Sequence, residues 1–172
     1  MLFSAVVSAV LVSSVLSAPQ APKDPFHADC SVKWTLSESC DTVQQKIIDQ
    51  MIAWDNEDCG TKPGDDKPNG QKCLYKHTGS NGEVTEGTHT TPIHRYVDDL
   101  KFTFISGSAP TCLVDAYSRS QTFSILDYGT NYCNLFNLMD GSGLVLDPEF
   151  SEDTNDDICT QRSSADCDIY KK

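Results

Sequence analysis

Basic residues are scarce in this chain. Its 172 residues hold 13 Lys and Arg against 25 Asp and Glu, a formal charge of -12. Such a surface repels polyanions, which disfavours nucleic acid or heparin-like partners and leaves cations and neutral ligands. Long apolar runs are as rare: Leu2 to Leu16 is the one sustained stretch, about 15 residues, too short to span a bilayer. No lipidation ending occurs at Tyr170-Lys171-Lys172, so no membrane anchor is expected. No Asn-x-Ser/Thr acceptor, G-x-S-x-G elbow, glycine-rich phosphate loop, dinucleotide fingerprint or CxxC pair is present. These absences remove the common signatures of hydrolases, nucleotide enzymes and zinc sites, so the expectation is no catalytic residue, no metal and no cofactor.

What the chain does have is cysteine behind a leader. Leu2 to Leu16 ends in the small residues Ser17 and Ala18, the ending of a signal peptide, and residues 1–18 are assigned to it although a charged n-region is missing. Pro19 favours a cut after Ser17. All eight cysteines, Cys30, Cys40, Cys59, Cys73, Cys112, Cys133, Cys159 and Cys167, lie downstream. An even set behind a leader predicts a secreted, extracellular chain whose thiols are paired as disulfides. Eight cysteines allow 105 pairings. A helix of about 16 residues would separate Cys40 from Cys59 by more than ~20 Å, beyond the ~7 Å reach of a disulfide. Cys59 with Cys73 would close the turn-rich loop through Lys62-Pro63-Gly64 and Pro68-Asn69-Gly70, and Cys159 with Cys167 would staple the tail.

Residues 19–29 carry three prolines and read as an extended arm, leaving 30–172 as one disulfide-rich domain. Between Asp41 and Asn56, Val43, Ile47, Met51 and Trp54 recur at helical spacing, with Thr42 and Gln45 as a capping box and Gly60 as the stop. Gln71–His77 and Glu83–Thr91 flank Asn81-Gly82 as a hairpin. Leu100, Phe102 and Phe104 alternate with polar residues in one strand, and Cys112, Val114 and Ala116 in the next, which is read as continuing through Phe123 and Leu126. A second helix is expected over Asn131–Met139, capped by Thr130. The order favours an α+β fold: an antiparallel sheet packed against one long N-terminal helix and a shorter later helix, disulfide-stabilised. Asp147 to Asp157 holds six acids and no base and reads as a solvated acidic tail.

The blocks around Trp34, Trp54, Tyr96 to Phe104 and Asp127 to Asn134 resemble, in this order and over nearly the whole mature chain, a secreted animal family labelled development-specific proteins. That label describes expression and implies no catalytic residue. Val97-Asp98-Asp99, Ser118-Arg119-Ser120 and Asp127-Tyr128-Gly129-Thr130-Asn131 are more distantly similar to a bacterial and plastid domain family of unknown function, whose members look cysteine-poor. The likeness implies that the disulfides are additions for extracellular life.

Two ligand settings emerge. Arg119, Asp99 and Tyr117 would line a pocket between sheet and helix, and Phe102 and Phe104 would face Ile47, Met51 and Trp54 across a space for a small apolar ligand. The same side chains would serve equally as a charge cluster and a filled core. The leading expectation is therefore a secreted non-enzymatic protein holding a small apolar ligand. The alternatives are an acidic calcium- or matrix-associated protein and a secreted hydrolase with an unrecognised site. Asp55, Glu57, Gly60 and Asp66 follow EF-hand spacing, but Cys59 stands at a ligand position and the twelfth residue is not Glu.

Overall fold

The computed structural model describes residues 25–107 and 111–170. The leader assigned to 1–18 lies outside them. Strands β1 (Asp29–Leu36), β2 (Tyr75–Asn81), β3 (Val84–Thr90), β4 (Val97–Ser106), β5 (Cys112–Ser120) and β6 (Ser151–Asp153) form one sheet, with helices α1 (Cys40–Ala53) and α2 (Thr130–Gly141). The spatial order is β2-β3-β4-β5-β1-β6, every neighbour antiparallel. The fold is α+β and disulfide-stabilised, with both helices packed on the sheet.

Period-two burial explains the sheet. Along β4, Asp98, Leu100, Phe102 and Phe104 point inward, and along β5 so do Cys112, Val114, Ala116, Ser118 and Ser120. β1, a strand the sequence reading did not assign, repeats this with Cys30, Val32, Trp34 and Leu36 inward. It pairs with β5 along its whole length, so the arm assigned to 19–29 gives way to the sheet at Asp29. Just before it, Ser124 donates its N–H to the Phe26 carbonyl and Ala28 donates to Ser124 Oγ.

α1 begins earlier and ends earlier than expected. Ser39 is the cap, accepting from the Thr42 N–H at 3.3 Å, while Gln45 reaches Asp49 rather than closing a capping box. Asn56 Nδ2 donates to the Ala53 carbonyl, and Trp54 and Asn56 give their own carbonyls to Tyr75 and Leu74. The chain is thus handed to β2 well before Gly60. Leu74 is left-handed (φ 56°), which delays the start of β2 to Tyr75. Gly87 allows α1 to lie close to β3, because a Cβ there would meet the Lys76 carbonyl at 2.7 Å and Met51 Sδ at 2.9 Å.

The eight cysteines form four disulfides: Cys30–Cys159, Cys40–Cys112, Cys59–Cys73 and Cys133–Cys167. Cys59–Cys73 is the expected loop closure, and Cys40 is indeed not joined to Cys59. The staple expected between Cys159 and Cys167 is replaced by two long-range bonds. The reason is the course of the tail, which returns as β6 beside β1, pairs Cys159 with Cys30 in a β-bridge and then passes α2. Of its acids, Asp147, Glu152 and Asp156 accept hydrogen bonds, while Glu149, Asp153 and Asp157 are exposed. Asp147 accepts from the Ser37, Glu38 and Glu149 N–H groups, and although desolvation opposes the trend these bonds hold its carboxyl below the usual range. Glu152 accepts from Trp34 Nε1 (3.0 Å), Tyr132 Oη (3.1 Å) and Arg162 (2.8 Å). Arg162 also lies 4.7 Å above the Tyr132 ring.

Candidate functional site

The inner faces of β4 and β5 change character along their length. Antiparallel register sets Phe104 beside Val114, Phe102 beside Ala116, Leu100 beside Ser118 and Asp98 beside Ser120. One end of the helix-sheet layer is therefore apolar and the other polar. At the apolar end Phe102, Phe104, Ile47 and Met51 are at most 1% exposed and belong to a continuous core with Trp34, Leu135 and Leu138. The space expected to receive an apolar ligand is occupied by these side chains themselves.

The polar end is organised by the start of α2. Tyr128 and Gly129 both adopt left-handed backbone (φ 54° and 78°), which turns the carboxylate of Asp127 back over the helix. It accepts from the Gly129 N–H (3.0 Å) and the Asn131 N–H (2.9 Å), so Asp127 supplies the cap expected of Thr130. A side chain at Gly129 would collide with Ala165. The helix then presents Asn131 and Asn134, both fully buried, to the sheet. Ser118 Oγ donates to Asn131 Oδ1 (2.6 Å), and Asn134 Nδ2 donates to Asp98 Oδ2 (2.7 Å) and Ser118 Oγ (3.2 Å). Ser120 Oγ donates to Asp98 Oδ1 (2.5 Å). Asp98, Ser118 and Ser120 thus each find a helix or strand partner, the condition for tolerating polarity in a core.

Asp98 is 2% exposed. Burial pushes its carboxyl up to about 6, with the charges of Asp127 and Asp99 adding to the rise and the Ser120 and Asn134 bonds opposing it. Its cross-strand neighbour on β3, His89, is fully buried against the Tyr75 ring at 4.3 Å, and neither ring nitrogen completes a hydrogen bond within the protein. Burial lowers His89 to about 4, so the ring is neutral at physiological pH. Tyr75 Oη donates to the Asn134 carbonyl (3.0 Å), and burial raises its pKa.

This polar layer opens into a cleft of about 220 Å³. Asp98, Ser120 and Thr130, all buried, make the floor. Thr91, His94 and Tyr96 come from the β3–β4 connection, Ser124, Leu126, Asp127 and Tyr128 from the β5–α2 connection, and Tyr170 from the tail. His94 stacks on Tyr96 at 5.4 Å and meets the edge of Tyr170 at 6.2 Å. Tyr170 is anchored by its N–H to the Asn69 carbonyl, and burial raises its phenol pKa. Thr91 fixes the other wall, its hydroxyl accepting from the Tyr96 N–H at 2.9 Å. A cleft of this size admits a ligand somewhat larger than benzene, for which a cavity of about 150 Å³ suffices.

The residues singled out from sequence are divided among different places. Asp99, Tyr117 and Arg119 stand on the outer face of the sheet, away from both helices: Asp99 and Arg119 are cross-strand partners, Tyr117 Oη donates to Asp29 Oδ2 (3.3 Å), and Gln121 donates to Asp99 (2.7 Å). They do not line a pocket between sheet and helix, because odd-numbered residues of these strands face out. Phe102 and Phe104 are core. Trp54 sits at the end of α1, packed on Tyr75 at 5.5 Å and beside Gly141 of α2, remote from the cleft lining. The lining residues His94, Tyr96, Asp98, Tyr128 and Tyr170 were not selected from sequence; Asp98 alone carried a signal, being in phase with Leu100, Phe102 and Phe104.

Among the described residues no group of three or more His, Cys, Asp or Glu converges to hold a metal ion, and no helix is long and apolar enough to cross a membrane. No family model, curated protein or solved structure matches the chain.

Proposed function

We propose that this chain is an exported, non-enzymatic binding protein, fixed by its four disulfides for extracellular or luminal use, and that it holds a small ligand in the cleft above Asp98. One observation carries the reading: the layer between helix and sheet is filled where it is apolar and opens to solvent where it is polar, with a buried carboxyl at the floor. Binding sites combine such concavity with a few placed polar groups. The ligand setting therefore moves from the Phe102–Phe104 face to the cleft. Catalysis draws no comparable support: Asp98 is held by Ser120 and Asn134, Asp127 caps a helix, and the His89 ring is sealed from solvent. The acidic-tail reading is weaker too, since Asp147 and Glu152 are occupied by protein donors.

The test is a fragment screen on the isotopically labelled, disulfide-bonded protein. Saturable amide shifts centred on Thr91, Tyr96, Tyr128 and Tyr170 are expected. Binding confined to other surfaces, or none across a panel of aromatic, aliphatic and charged fragments, would overturn the reading.

A further inference from the structure

The charge and ring content of the cleft define its ligand more closely. Asp98 is buried, lines the cleft and forms no ion pair among the described residues. A carboxylate can accept about four hydrogen bonds, and the protein supplies one donor to each oxygen, from Ser120 and from Asn134. Acceptor capacity therefore remains on a carboxylate that lines the cleft. The second carboxylate in the lining is Asp127, and among the described residues no Lys or Arg lines the cleft. A buried anion without a counter-charge is costly, and a cation entering the cleft would relieve that cost.

The walls add a second preference. Tyr96, Tyr128 and Tyr170 surround the floor, and aromatic faces attract cations through their quadrupole. The connection that forms one wall carries exposed apolar groups at Phe123, Ile125, Leu126 and Tyr128, beside the cleft mouth. Such a rim suits an apolar substituent leading out of a charged floor.

We infer that the cleft takes a small organic ammonium ion, a primary amine bearing an aromatic or apolar substituent, with the ammonium donating to Asp98 and the substituent lying among Tyr96, Tyr128 and Leu126. The inference rests on the cleft being the ligand site. The high carboxyl pKa of Asp98 is the expected mark of an anion lacking its counter-charge, and the net charge of -12 favours capture of cations over anions.

Calorimetric titration of the full, oxidised protein near neutral pH with phenethylamine, 2-phenylethanol and 3-phenylpropanoate separates the possibilities. These probes share a ring and differ in charge. Phenethylamine is expected to bind at least about tenfold more tightly than the alcohol, and the carboxylate not to bind. Asp98→Asn is expected to lower amine affinity about tenfold while changing the alcohol by less than about twofold. Equal binding of amine and alcohol, or preference for the carboxylate, overturns the ammonium assignment and leaves the cleft as a site. Binding of none of the three overturns both. Should Asp98→Asn fail to fold, Leu126→Lys and Leu126→Glu decide the matter, since Leu126 is 61% exposed at the mouth. Lys is expected to weaken and Glu to strengthen amine binding relative to the alcohol; insensitivity to both sinks the assignment.

Discussion

The two ends of the β4–β5 inner face differ by a few residues in sequence and by almost everything in physical role. Around Phe102 and Phe104 the layer is apolar, continuous and closed. Around Asp98 it is built from a carboxyl, two serines and two asparagines beneath an open cleft. Both ends sit on the same strands and face the same helices, so secondary structure does not set them apart. The apolar end stabilises through area removed from water. The polar end depends on every donor finding its acceptor, and a single unmade bond there is expensive. On the proposed function, stability and ligand recognition are placed at opposite ends of one sheet.

The sharpest way to break this division is Phe102→Ala, which leaves a cavity in the closed end. Urea unfolding with disulfides intact should show a loss of about 3–5 kcal/mol with cleft binding retained in the folded fraction. Loss of binding in a protein that remains folded would show the ends to be coupled.

The next effect is electrostatic. Asp98 has a folded pKa raised from 3.8 to about 6, so the folded state takes up a proton first and the penalty for its charge is relieved as pH falls through that window. His89 has a folded pKa lowered from 6.5 to about 4, so stability is intact above 6.5 and is lost as pH falls toward 4. The slopes oppose and nearly cancel between pH 4 and 6. His89→Phe, which removes one titration, should become more stable on acidification across that range by up to about 3 kcal/mol. A flat profile for His89→Phe would mean that Asp98 keeps an ordinary pKa.

Asn134→Ala withdraws the donor to Asp98 and Ser118. A loss of about 2 kcal/mol is expected, with a steeper dependence on pH than in the parent protein. An unchanged midpoint in urea would mark the polar layer as dispensable for folding. Smallest is Phe123→Ser, on the exposed rim, where thermal unfolding should move by less than about 0.5 kcal/mol. A larger loss would place the rim in the core's cooperative unit.

Much of the closed end was legible in the chain. Helical spacing located α1, and Asn81-Gly82 marked the β2–β3 hairpin to within one residue, the turn being Gly82-Glu83 with Asn81 still paired to Val84. Alternation located β4 and the body of β5, which stops at Ser120 instead of continuing through Phe123 and Leu126, and that same alternation placed Asp98, Ser118 and Ser120 inward, leaving Asp99, Tyr117 and Arg119 outside. Asp99, Tyr117 and Arg119 have the opposite parity to the inward set of Phe102, Phe104 and Ala116 and so cannot share a pocket with it. β1 has equally clean alternation from Cys30 to Leu36, but its outward positions Ser31, Lys33 and Thr35 and its lack of a flanking turn signal mark it less clearly than β4 and β5. The open end was less accessible because its parts are far apart in sequence: Tyr96, Tyr128 and Tyr170 meet through the return of the tail, which no local pattern specifies. β6 is three residues long, held by register with β1 rather than by propensity, and Glu152 is turned from a surface acid into a hub by Trp34, Tyr132 and Arg162.

The Cys30–Cys159 bond has a sequence separation of 129 and encloses the exposed run from Phe123 to Tyr128. A protease that clipped this rim would produce two pieces still tethered at the sheet edge, indistinguishable by size from the uncut chain until a reductant is added. Damage to the mouth of the cleft would then leave the fragments together, and any loss of the proposed ligand binding would show without a change in apparent size.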